Sequence, residues 1–302
     1  MTKQTAPILI TGVNGFVGKH LVREIARNNI SVIGVGREPT ADPEISKLLH
    51  EYVNIDLTKE WPKTDEVSAV IHLAGLAAVG PSFENPQDYL NLNSAMVTNM
   101  CEYYLTQTNK SRIVVVSSGA IYDPSQNMPL TEDSEIGYYS PYAVSKVLVE
   151  KQCAYYRNRG LDCVVVRPFN HIGPGQSEGF LVPDVVNQLK VGEVITVGNI
   201  STKRDYTDVR DIVRAYRLLA TTPELNYDIY NACSGTSTSG EEIVNLIKDV
   251  LKKPSTEVIV DQSRVRPTDP AEIYGSSARL CEDTGWVPEI KLEQTLLDIV
   301  SS

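Results

Sequence analysis

Tyr142 and Lys146 are the two side chains in this sequence whose types and spacing most suit chemistry. Because they lie four residues apart, a helix would place both on one face, one turn from each other. In that arrangement the ammonium can lower the pKa of the phenol from its usual value of about 10 towards neutral pH. Such a tyrosine can donate a proton to a carbonyl oxygen or accept one from an alcohol. The pair therefore indicates acid/base chemistry, although the same spacing also occurs on ordinary solvated helices.

A glycine-rich turn near the start of the chain is the second chemical signal. Gly12, Gly15 and Gly18 follow an apolar, strand-like run that ends at Thr11, and apolar residues at helical spacing follow over 19–28. Glycines between a strand and a helix let the backbone approach a pyrophosphate, which then lies at the N-terminus of the helix. The spacing is Gly-x-x-Gly-x-x-Gly rather than Gly-x-Gly-x-x-Gly. The turn and the Tyr–Lys pair together predict a dinucleotide-binding protein; a glycine turn without a ligand is the alternative.

The composition limits the class of protein. The chain has 302 residues, of which 42% are hydrophobic and 22% charged, and its formal net charge is −10. This charge, without any basic cluster, argues against nucleic acid as a partner. No apolar run approaches the roughly 20 residues of a membrane span, and the N-terminus lacks the apolar core of a signal peptide. We therefore expect a cytoplasmic protein that does not enter the membrane.

Cysteine and histidine positions argue against a metal site and against disulfides. The five cysteines lie far apart without a Cys-x-x-Cys pair, and the four histidines show no ligand spacing. We expect reduced cysteines that fill the core, and no bound metal. His72 is expected to be a packed strand residue rather than a catalytic one.

Strand-like and helical segments alternate through the first half of the chain. The helical segments are clearest at 87–105 and 142–159, and the strand-like segments are 8–11, 31–35, 52–55, 69–73, 112–117 and 162–168. This alternation predicts an α/β fold with a Rossmann-type, doubly wound parallel sheet. The polar stretch 59–66 leaves little room for a crossover helix at that point.

The second half of the chain predicts a smaller, interleaved α/β domain. We expect the first domain to comprise 1–170 and about 205–235, and the second to comprise about 171–204 and 236–302. Ser239 and Glu242 have the spacing of a capping box, which predicts a helix that runs to about residue 252.

Several motifs occur in the order that is typical of one enzyme family. They are Thr11-Gly-Val-Asn-Gly-Phe-Val-Gly18, Asp56-Leu57, His72-Leu-Ala-Gly75, Ser117-Ser-Gly-Ala-Ile-Tyr122, Tyr142-Ala-Val-Ser-Lys146, Arg167-Pro-Phe-Asn170, Arg204-Asp-Tyr-Thr-Asp-Val209 and Arg266-Pro-Thr-Asp269. The chain resembles the extended short-chain dehydrogenase/reductases, which include nucleotide-sugar epimerases, dehydratases and reductases. Within them, Phe169-Asn-His-Ile-Gly-Pro-Gly-Gln176 followed by Gly179-Phe180 is most similar to the GDP-4-keto-6-deoxy-mannose 4-reductases and the dTDP-6-deoxy-talose-forming 4-reductases.

The resemblance implies that the first domain binds NAD(P)(H). The implied cofactor-binding residues are Gly12, Asn14, Gly15, Phe16, Val17, Gly18, Arg37, Asp56, Leu57, Leu73, Ala74, Gly75, Tyr142, Lys146 and Phe169. Arg37 stands near the position where an acidic residue would bind the ribose 2′-hydroxyl of NAD. An arginine there suits a 2′-phosphate, so NADP(H) is favoured and NAD(H) is possible. Glu38 follows directly, and a solvated loop arginine is the alternative.

The resemblance also implies a catalytic set and a nucleotide-diphosphate sugar substrate for the second domain. The catalytic residues would be Ser118, Tyr142 and Lys146, with Ser117 ranked second to Ser118. The implied substrate-binding residues are Ser118, Tyr142, Asn170, Phe180, Val197, Arg204 and Arg266. The two arginines suit a diphosphate, although Arg204 beside Asp205 could form an ion pair instead. Whether the base is guanine or thymine stays open.

Gly119 and Ala120 limit the reaction. Related dehydratases carry acidic residues here and related epimerase-reductases carry a cysteine, whereas glycine and alanine can neither donate nor accept a proton. The resemblance therefore implies NADPH-dependent reduction of the C4 ketone of a nucleotide-linked 4-keto-6-deoxyhexose, in deoxysugar biosynthesis. The product would be of the GDP-D-rhamnose or the dTDP-6-deoxy-talose type. The alternatives are a 4-epimerase of the same family and a non-catalytic dinucleotide-binding relative.

The resemblance implies a homodimer as well. Family members pair the helices that correspond to 87–105 and 142–159 across a two-fold axis into a four-helix bundle. Both segments carry apolar or aromatic residues beyond one narrow stripe, namely Met96, Met100, Tyr103, Tyr104, Tyr155 and Tyr156.

Overall fold

The structure is a computed structural model and describes residues 6–109, 111–264 and 270–302. The strands are β1 (Ile8–Thr11), β2 (Val32–Gly36), β3 (Glu51–Asn54), β4 (Ala69–His72), β5 (Arg112–Val116), β6 (Cys163–Pro168), β7 (Asn170–Ile172), β8 (Val194–Val197), β9 (Lys203–Arg204), β10 (Tyr206–Asp208), β11 (Ile229–Ala232), β12 (Thr238–Ser239), β13 (Glu257–Val260) and β14 (Glu272–Ile273). The α-helices are α1 (Phe16–Arg27), α2 (Val79–Ser82), α3 (Pro86–Leu105), α4 (Pro141–Asn158), α5 (Leu181–Val191), α6 (Val209–Thr221), α7 (Gly240–Val250), α8 (Ala278–Thr284) and α9 (Leu292–Ser301).

A seven-stranded sheet forms the centre of the molecule, and all of its strand pairs are parallel. Its order is β11-β6-β5-β4-β1-β2-β3. β1 and β4 are buried along their whole length, because helices cover both faces of the sheet and leave no face for polar side chains. The first six strands lie within a residue or two of the predicted segments, and no helix separates β3 from β4. The predicted Rossmann-type, doubly wound α/β fold is confirmed.

Two hydrophobic clusters lie on the opposite faces of this sheet. Ile10, Leu21 and Tyr216 belong to the cluster beneath α1 and α6. Leu9 and Met100 belong to the cluster beneath α3 and α4. Neighbouring residues of β1 thus point to opposite faces, as the alternation of a strand requires. The sheet is held between two helical layers.

Residues of the second half form a separate hydrophobic core around α5, α7 and α9. Val185, Ile195, Ile243 and Leu296 are among its fully buried members. The chain returns to the central sheet between these elements, because β11 pairs with β6 and buried side chains of α6 join those of α1. On this basis we propose the interleaved division into two domains given above.

The predicted capping box is present at the start of α7. The Glu242 N–H donates to Ser239 Oγ at 3.0 Å, and the Ser239 N–H donates to Glu242 Oε2 at 2.7 Å. Each residue therefore satisfies a backbone donor of the other, which stabilises the first turn of the helix.

Most of the aromatic and sulfur-containing residues singled out on α3 and α4 pack inside the chain itself. Met96, Met100, Tyr104 and Tyr156 are buried in the core that the two helices share with the sheet. Tyr155, in contrast, is 55% exposed. Most of these apolar and aromatic residues therefore belong to the core of the single chain, and Tyr155 faces outwards.

Four of the five cysteines lie in the interior, as predicted, whereas the expectation that Cys281 also fills the core is wrong. Cys101, Cys153, Cys163 and Cys233 are buried and not in disulfides, and Cys281 is exposed. Within the described ranges, no three His, Cys, Asp or Glu side chains are grouped so that they could hold a metal ion. No helix in those ranges has the length and apolar character to cross a membrane.

Candidate active site

Ser118, Tyr142 and Lys146 meet beyond the carboxyl end of β5. α4 begins after Ser140, whose hydroxyl accepts a hydrogen bond from the Ala143 N–H at 3.1 Å. This start places Tyr142 in the first turn and Lys146 one turn later, and Lys146 Nζ lies 5.9 Å from the centre of the Tyr142 ring. Ser118 follows β5, and its hydroxyl lies near enough to the Tyr142 phenol to affect its pKa. The structure thus brings the three predicted catalytic side chains together.

The charges in this site differ from the prediction made from the sequence. Burial raises the pKa of Tyr142 to about 12, and the nearby Ser118 hydroxyl opposes that rise. Burial lowers the pKa of Lys146 to about 8, and Glu150 opposes that fall. Lys146 Nζ donates to the Val116 carbonyl at 2.9 Å. The expectation that Lys146 lowers the pKa of Tyr142 is therefore wrong here, because the burial of the phenol has the larger effect.

Ser117 points away from the site. Its side chain is buried, and its hydroxyl donates to Glu150 Oε1 at 2.5 Å. Ser118 is half-buried, and its hydroxyl accepts from the Ala120 N–H at 3.1 Å. Of the two candidate serines, Ser118 is thus the one beside Tyr142, and its catalytic role stays a prediction.

The glycine turn has the close packing that a dinucleotide cradle requires. Gly12 has φ of +72°, which favours glycine. A side-chain carbon added at Gly18 would lie 2.2 Å from the Gly12 carbonyl oxygen. Gly15 caps α1, and Phe16 and Val17 are its first two residues, so no acidic side chain occupies that turn. The free N–H groups and the positive end of the helix dipole suit a pyrophosphate.

Asn14 joins this turn to the loop after β2. Its Nδ2 donates to Glu38 Oε2 and to the Thr40 carbonyl, each at 3.1 Å, and its Oδ1 accepts from the Asp42 N–H at 2.9 Å. Arg37 lies in the same loop with an exposed side chain. Because Glu38 is held by Asn14, the loop presents Arg37 next to an acidic residue that already has a partner.

Asp56 is partly exposed, whereas the next residue, Leu57, is buried. Asp56 Oδ1 accepts from the Thr58 hydroxyl at 2.6 Å and from its N–H at 3.1 Å, and these bonds hold the pKa of Asp56 below its usual range. Leu57 is 4% exposed, and its carbonyl accepts from Asn99 Nδ2 at 2.9 Å. Leu57 was predicted to contact the adenine of the cofactor. Such a contact would come from a side chain that is already packed in the core.

Thr11 fixes the ends of β1 and β4 beside the turn. Its hydroxyl oxygen accepts from the N–H groups of Leu73 and Ala74 at 3.1 and 3.0 Å. Its own hydrogen is then free to bond His72 Nδ1 at 2.9 Å, which places the imidazole proton on Nε2. Burial, with a smaller contribution from Lys146, lowers the pKa of His72 to about 3. His72 is a neutral, packed strand residue, as predicted.

Asn93 on α3 is a residue of the site that the sequence analysis missed. Its Oδ1 accepts from the Leu76 N–H at 2.8 Å, and its Nδ2 donates to Ser145 Oγ at 3.1 Å. A side-chain carbon added at Gly75 would lie 3.0 Å from Asn93 Oδ1 and 3.9 Å from Lys146 Nζ. Asn93 therefore ties the loop after β4 to α4 next to Lys146. Its sequence surroundings show no motif that would have identified it.

Phe169 occupies the space next to Gly119. The ring is 6% exposed, and a side-chain carbon added at Gly119 would lie 2.9 Å from it. A carbon added at Gly275 would lie 2.5 Å from the same ring. Position 119 therefore has no room for an acidic or thiol side chain unless Phe169 moves.

The predicted substrate residues lie on several elements of the second half. Asn170 begins β7 and is exposed, and Phe180 is 49% exposed just before α5. Val197 is 3% exposed within the second core, so a substrate could reach its backbone more readily than its side chain. Arg266 lies outside the described residues.

Arg204 lies on β9, the middle strand of a small three-stranded sheet. Its Nη1 donates to the carbonyls of Lys203 at 2.7 Å and Pro270 at 2.9 Å. The neighbouring Asp205 is buried, and its carboxylate accepts from the N–H groups of Ser234 at 2.8 Å and Gly235 at 2.9 Å. The contacts of Asp205 join the segment just after β9 to the loop after β11.

The chain is similar to known proteins over nearly its whole length. The model of the NAD dependent epimerase/dehydratase family matches residues 8–233. The chain is 32% identical over 309 residues to the GDP-6-deoxy-D-mannose reductase of Pseudomonas aeruginosa, with 98% of this chain and 97% of that protein covered. It is 25% identical over 339 residues to a UDP-glucose 4-epimerase of Pisum sativum, with 99% and 95% covered.

A solved structure is similar over the same length. The structure of RMD from Pseudomonas aeruginosa complexed with NADPH superposes with a TM-score of 0.81 at 30% identity. The match covers 98% of each chain. The similarity thus extends over the central sheet and over the core around α5, α7 and α9.

Proposed function

This chain belongs to the NAD dependent epimerase/dehydratase family of extended short-chain dehydrogenase/reductases, and from that premise we propose that it is a nucleotide-sugar 4-ketoreductase. The substrate would be a nucleotide-linked 4-keto-6-deoxyhexose, reduced at C4 with NADPH. The observation that carries the proposal is the meeting of Ser118, Tyr142 and Lys146 beside a position 119 that Phe169 closes. The name of the 32% identical relative supports the same reaction.

The residues of this chain would bind and protonate the substrate. The turn that contains Gly12, Gly15 and Gly18 would hold the pyrophosphate of the dinucleotide. When bound, the nicotinamide of the dinucleotide would supply the hydride for C4. Tyr142 Oη would donate a proton to the C4 oxygen, and Ser118 Oγ would orient that oxygen. Because burial raises the pKa of Tyr142 to about 12, the phenol carries its proton near neutral pH, as a proton donor must.

Lys146 would act after the proton has moved. With its pKa lowered to about 8 by burial, the amine still carries its charge in most molecules at pH 7. Its Nζ lies 5.9 Å from the ring centre of Tyr142. A positive charge at that distance stabilises the tyrosinate that remains when Tyr142 has given up its proton.

We propose NADP(H) as the cofactor because of Arg37. Its side chain is exposed in the loop after β2, where an arginine suits a 2′-phosphate. The similar structure from Pseudomonas aeruginosa contains NADPH. The neighbouring Glu38 accepts a hydrogen bond from Asn14, which reduces its competition for the guanidinium.

The test is incubation of the protein with NADPH and a panel of GDP- and dTDP-linked 4-keto-6-deoxyhexoses. We expect NADPH oxidation with at least one of them and a C4-reduced product in the NMR spectrum. Absence of oxidation with the whole panel would contradict the proposal. The face of the sugar that is reduced would distinguish a rhamnose-type from a talose-type product.

A 4-epimerase is the second candidate, since it uses the same three side chains and a UDP-glucose 4-epimerase is among the similar proteins. An epimerase would interconvert UDP-glucose and UDP-galactose without net consumption of NADPH. Incubation with UDP-glucose therefore separates the two candidates: conversion to UDP-galactose supports epimerisation, and an unchanged substrate supports the reductase.

Isotope incorporation tests whether the site lacks an acid/base group at positions 119 and 120. Reduction in D₂O with ordinary NADPH should give a product without deuterium on any ring carbon, because Gly119 and Ala120 offer no acid/base at C3 or C5. The measurement is mass spectrometry and NMR of the product. Enzyme-dependent deuterium at C3 or C5 would reveal epimerisation at those carbons instead.

A further inference from the structure

A buried polar cluster lies behind Lys146, and Glu150 is at its centre. Glu150 Oε1 accepts from Ser117 Oγ at 2.5 Å and from Arg167 Nε at 2.9 Å, and its Oε2 accepts from Arg167 Nη2 at 2.7 Å. Arg167 Nη1 also donates to the Tyr122 hydroxyl at 2.7 Å. The side chains of Arg167 and Glu150 are only 4% and 9% exposed. Two ionised groups have thus been taken out of water at this point, which costs free energy that a hydrophobic pair would not.

The position of Glu150 on α4 connects this cluster to the catalytic residues. Tyr142, Lys146 and Glu150 are spaced by four residues each, so they lie on one face of the helix over two turns. Ser117 precedes Ser118 directly in the chain, and its hydrogen bond to Glu150 anchors the end of β5. Glu150 therefore lies one helical turn from Lys146 and is bonded to the residue that precedes Ser118.

Of the groups around Lys146 described below, Glu150 is the one that provides negative charge. On α4 these groups are Tyr142 and the buried thiol of Cys153, which carries its proton because burial raises its pKa. On β4, His72 is neutral, with a pKa that burial lowers to about 3. On β6, Arg167 pairs with Glu150, but it is Glu150, on the same helix as Lys146, that affects the pKa of Lys146. Burial lowers the pKa of Lys146, and Glu150 acts against this.

We propose that Glu150 is a positioning residue of the active site, which keeps the Lys146 ammonium charged and holds the strand end that carries Ser118. The catalytic consequence rests on the proposed function, whereas the effect on the charge of Lys146 does not. Glu150 itself is bonded to Ser117 and Arg167 and acts through Lys146 and Ser118.

The first experiment measures the charge of Lys146 directly. Protein with ¹³C-labelled lysine is titrated by NMR, and the Lys146 signal is identified by its loss in Lys146→Arg. Wild type should titrate near pH 8. Glu150→Gln, which preserves shape and removes the charge, should lower that midpoint by about one pH unit. A midpoint that does not move in folded Glu150→Gln would overturn the proposal, whatever the substrate of the protein is.

Two variants serve as controls for this titration. Glu150→Asp keeps the negative charge and should stay close to the wild-type midpoint. Glu102→Gln makes the same chemical change on α3, where Glu102 is half exposed and pairs with Arg159, and it should leave the midpoint unmoved. A shift as large in Glu102→Gln as in Glu150→Gln would show a general effect of charge and would contradict the specific role.

Turnover on the proposed substrate provides a second readout. A midpoint that falls from about 8 to about 7 lowers the charged fraction of Lys146 at pH 8 from one half to about one eleventh. Glu150→Gln should therefore lose about fivefold in kcat at pH 8 and little at pH 6. A loss that is equal at both values would indicate a structural defect and not the proposed role.

The buried Arg167 would be left unpaired in Glu150→Gln, and the variant could fail to fold for that reason. The double variant Glu150→Gln/Arg167→Met removes both charges together. Its midpoint should still lie below that of wild type, because Glu150 is the acidic group that acts on Lys146. A wild-type midpoint in the folded double variant would also overturn the proposal.

Discussion

Tyr142 holds its proton at neutral pH because its ring is buried. The phenol is 6% exposed and packs edge-on against Tyr89 with the ring centres 6.3 Å apart. Burial disfavours the tyrosinate and raises the pKa to about 12. A reductase needs this protonated form at the start of each turnover, whereas oxidation of an alcohol needs the ionised form. The environment of this residue thus keeps it in the protonated form that the proposed reduction requires.

Tyr142→Phe should lose at least about a hundredfold in turnover, the lower size of a general-acid contribution. The cofactor should still bind, because the substitution removes a single oxygen and leaves the ring in place. Steady-state kinetics and a fluorescence titration with NADPH measure the two effects. Wild-type turnover in this variant would refute Tyr142 as the proton donor.

Arg37→Ala should weaken NADPH binding by about ten- to hundredfold and leave NADH binding unchanged. The reason is the loss of a charge-assisted contact to the 2′-phosphate, which NADH lacks. Arg27→Ala is the matched control, since Arg27 is an exposed arginine in the last turn of α1. Calorimetric titration with both cofactors is the measurement. If wild type prefers NADH and the variant binds both as before, Arg37 is a loop residue without this role.

The turn between β1 and α1 depends on the absence of one side chain, at Gly18. α1 crosses the turn so closely that a carbon added at Gly18 would lie 2.2 Å from one backbone oxygen and 2.7 Å from the Val13 α-carbon. Backbone atoms cannot move aside as a flexible side chain can. The same closeness brings the N-terminus of α1 to the turn, where a pyrophosphate would bind.

Gly18→Ala should therefore destabilise the protein by about 2–4 kcal/mol and abolish dinucleotide binding, because the helix must move away from the turn. Gly80→Ala is the control: Gly80 is helical and no atom lies within 4 Å of an added carbon, so its stability should be unchanged or slightly higher. Thermal unfolding and NADPH titration measure both variants. Equal unfolding temperatures for the two variants would show that Gly18 is not closely packed against the turn.

α3 and α4 pack together on the sheet, and α4 leaves apolar side chains on the outside of the molecule. Leu148 and Tyr155 of α4 are 39% and 55% exposed. They lie seven residues apart, so they stand on one face of the helix, two turns from each other. An exposed apolar strip of this kind suits contact with a second copy of the same helices across a two-fold axis.

We predict a homodimer through this strip, and Leu148→Glu should convert it into a monomer by placing a charge in the interface. Leu297→Glu is the control, because Leu297 on α9 is 46% exposed and lies on another element. Light scattering at micromolar concentration gives the mass of each variant. A monomeric wild type, or a dimer that survives Leu148→Glu, would contradict the prediction.

Features that depend on neighbouring residues could be predicted from the sequence. The glycine turn is one strand–helix junction, the Tyr142–Lys146 pair is one turn of helix, and the strands of the central sheet are short apolar runs. In each case the pattern and the structure that it produces lie within a few residues of each other. The fold class and the meeting of Tyr142 with Lys146 followed from such local patterns.

Features that depend on distant residues were decided by the tertiary structure. Asn93 bonds Ser145 across 52 positions of the chain, and Glu150 bonds Ser117 across 33, so no spacing in the sequence indicates either contact. The pKa of Tyr142 was predicted with the wrong direction for the same reason. A single sequence shows which charge stands one turn away, but the burial of the phenol is produced by elements from many parts of the chain, and burial has the larger effect on its ionisation.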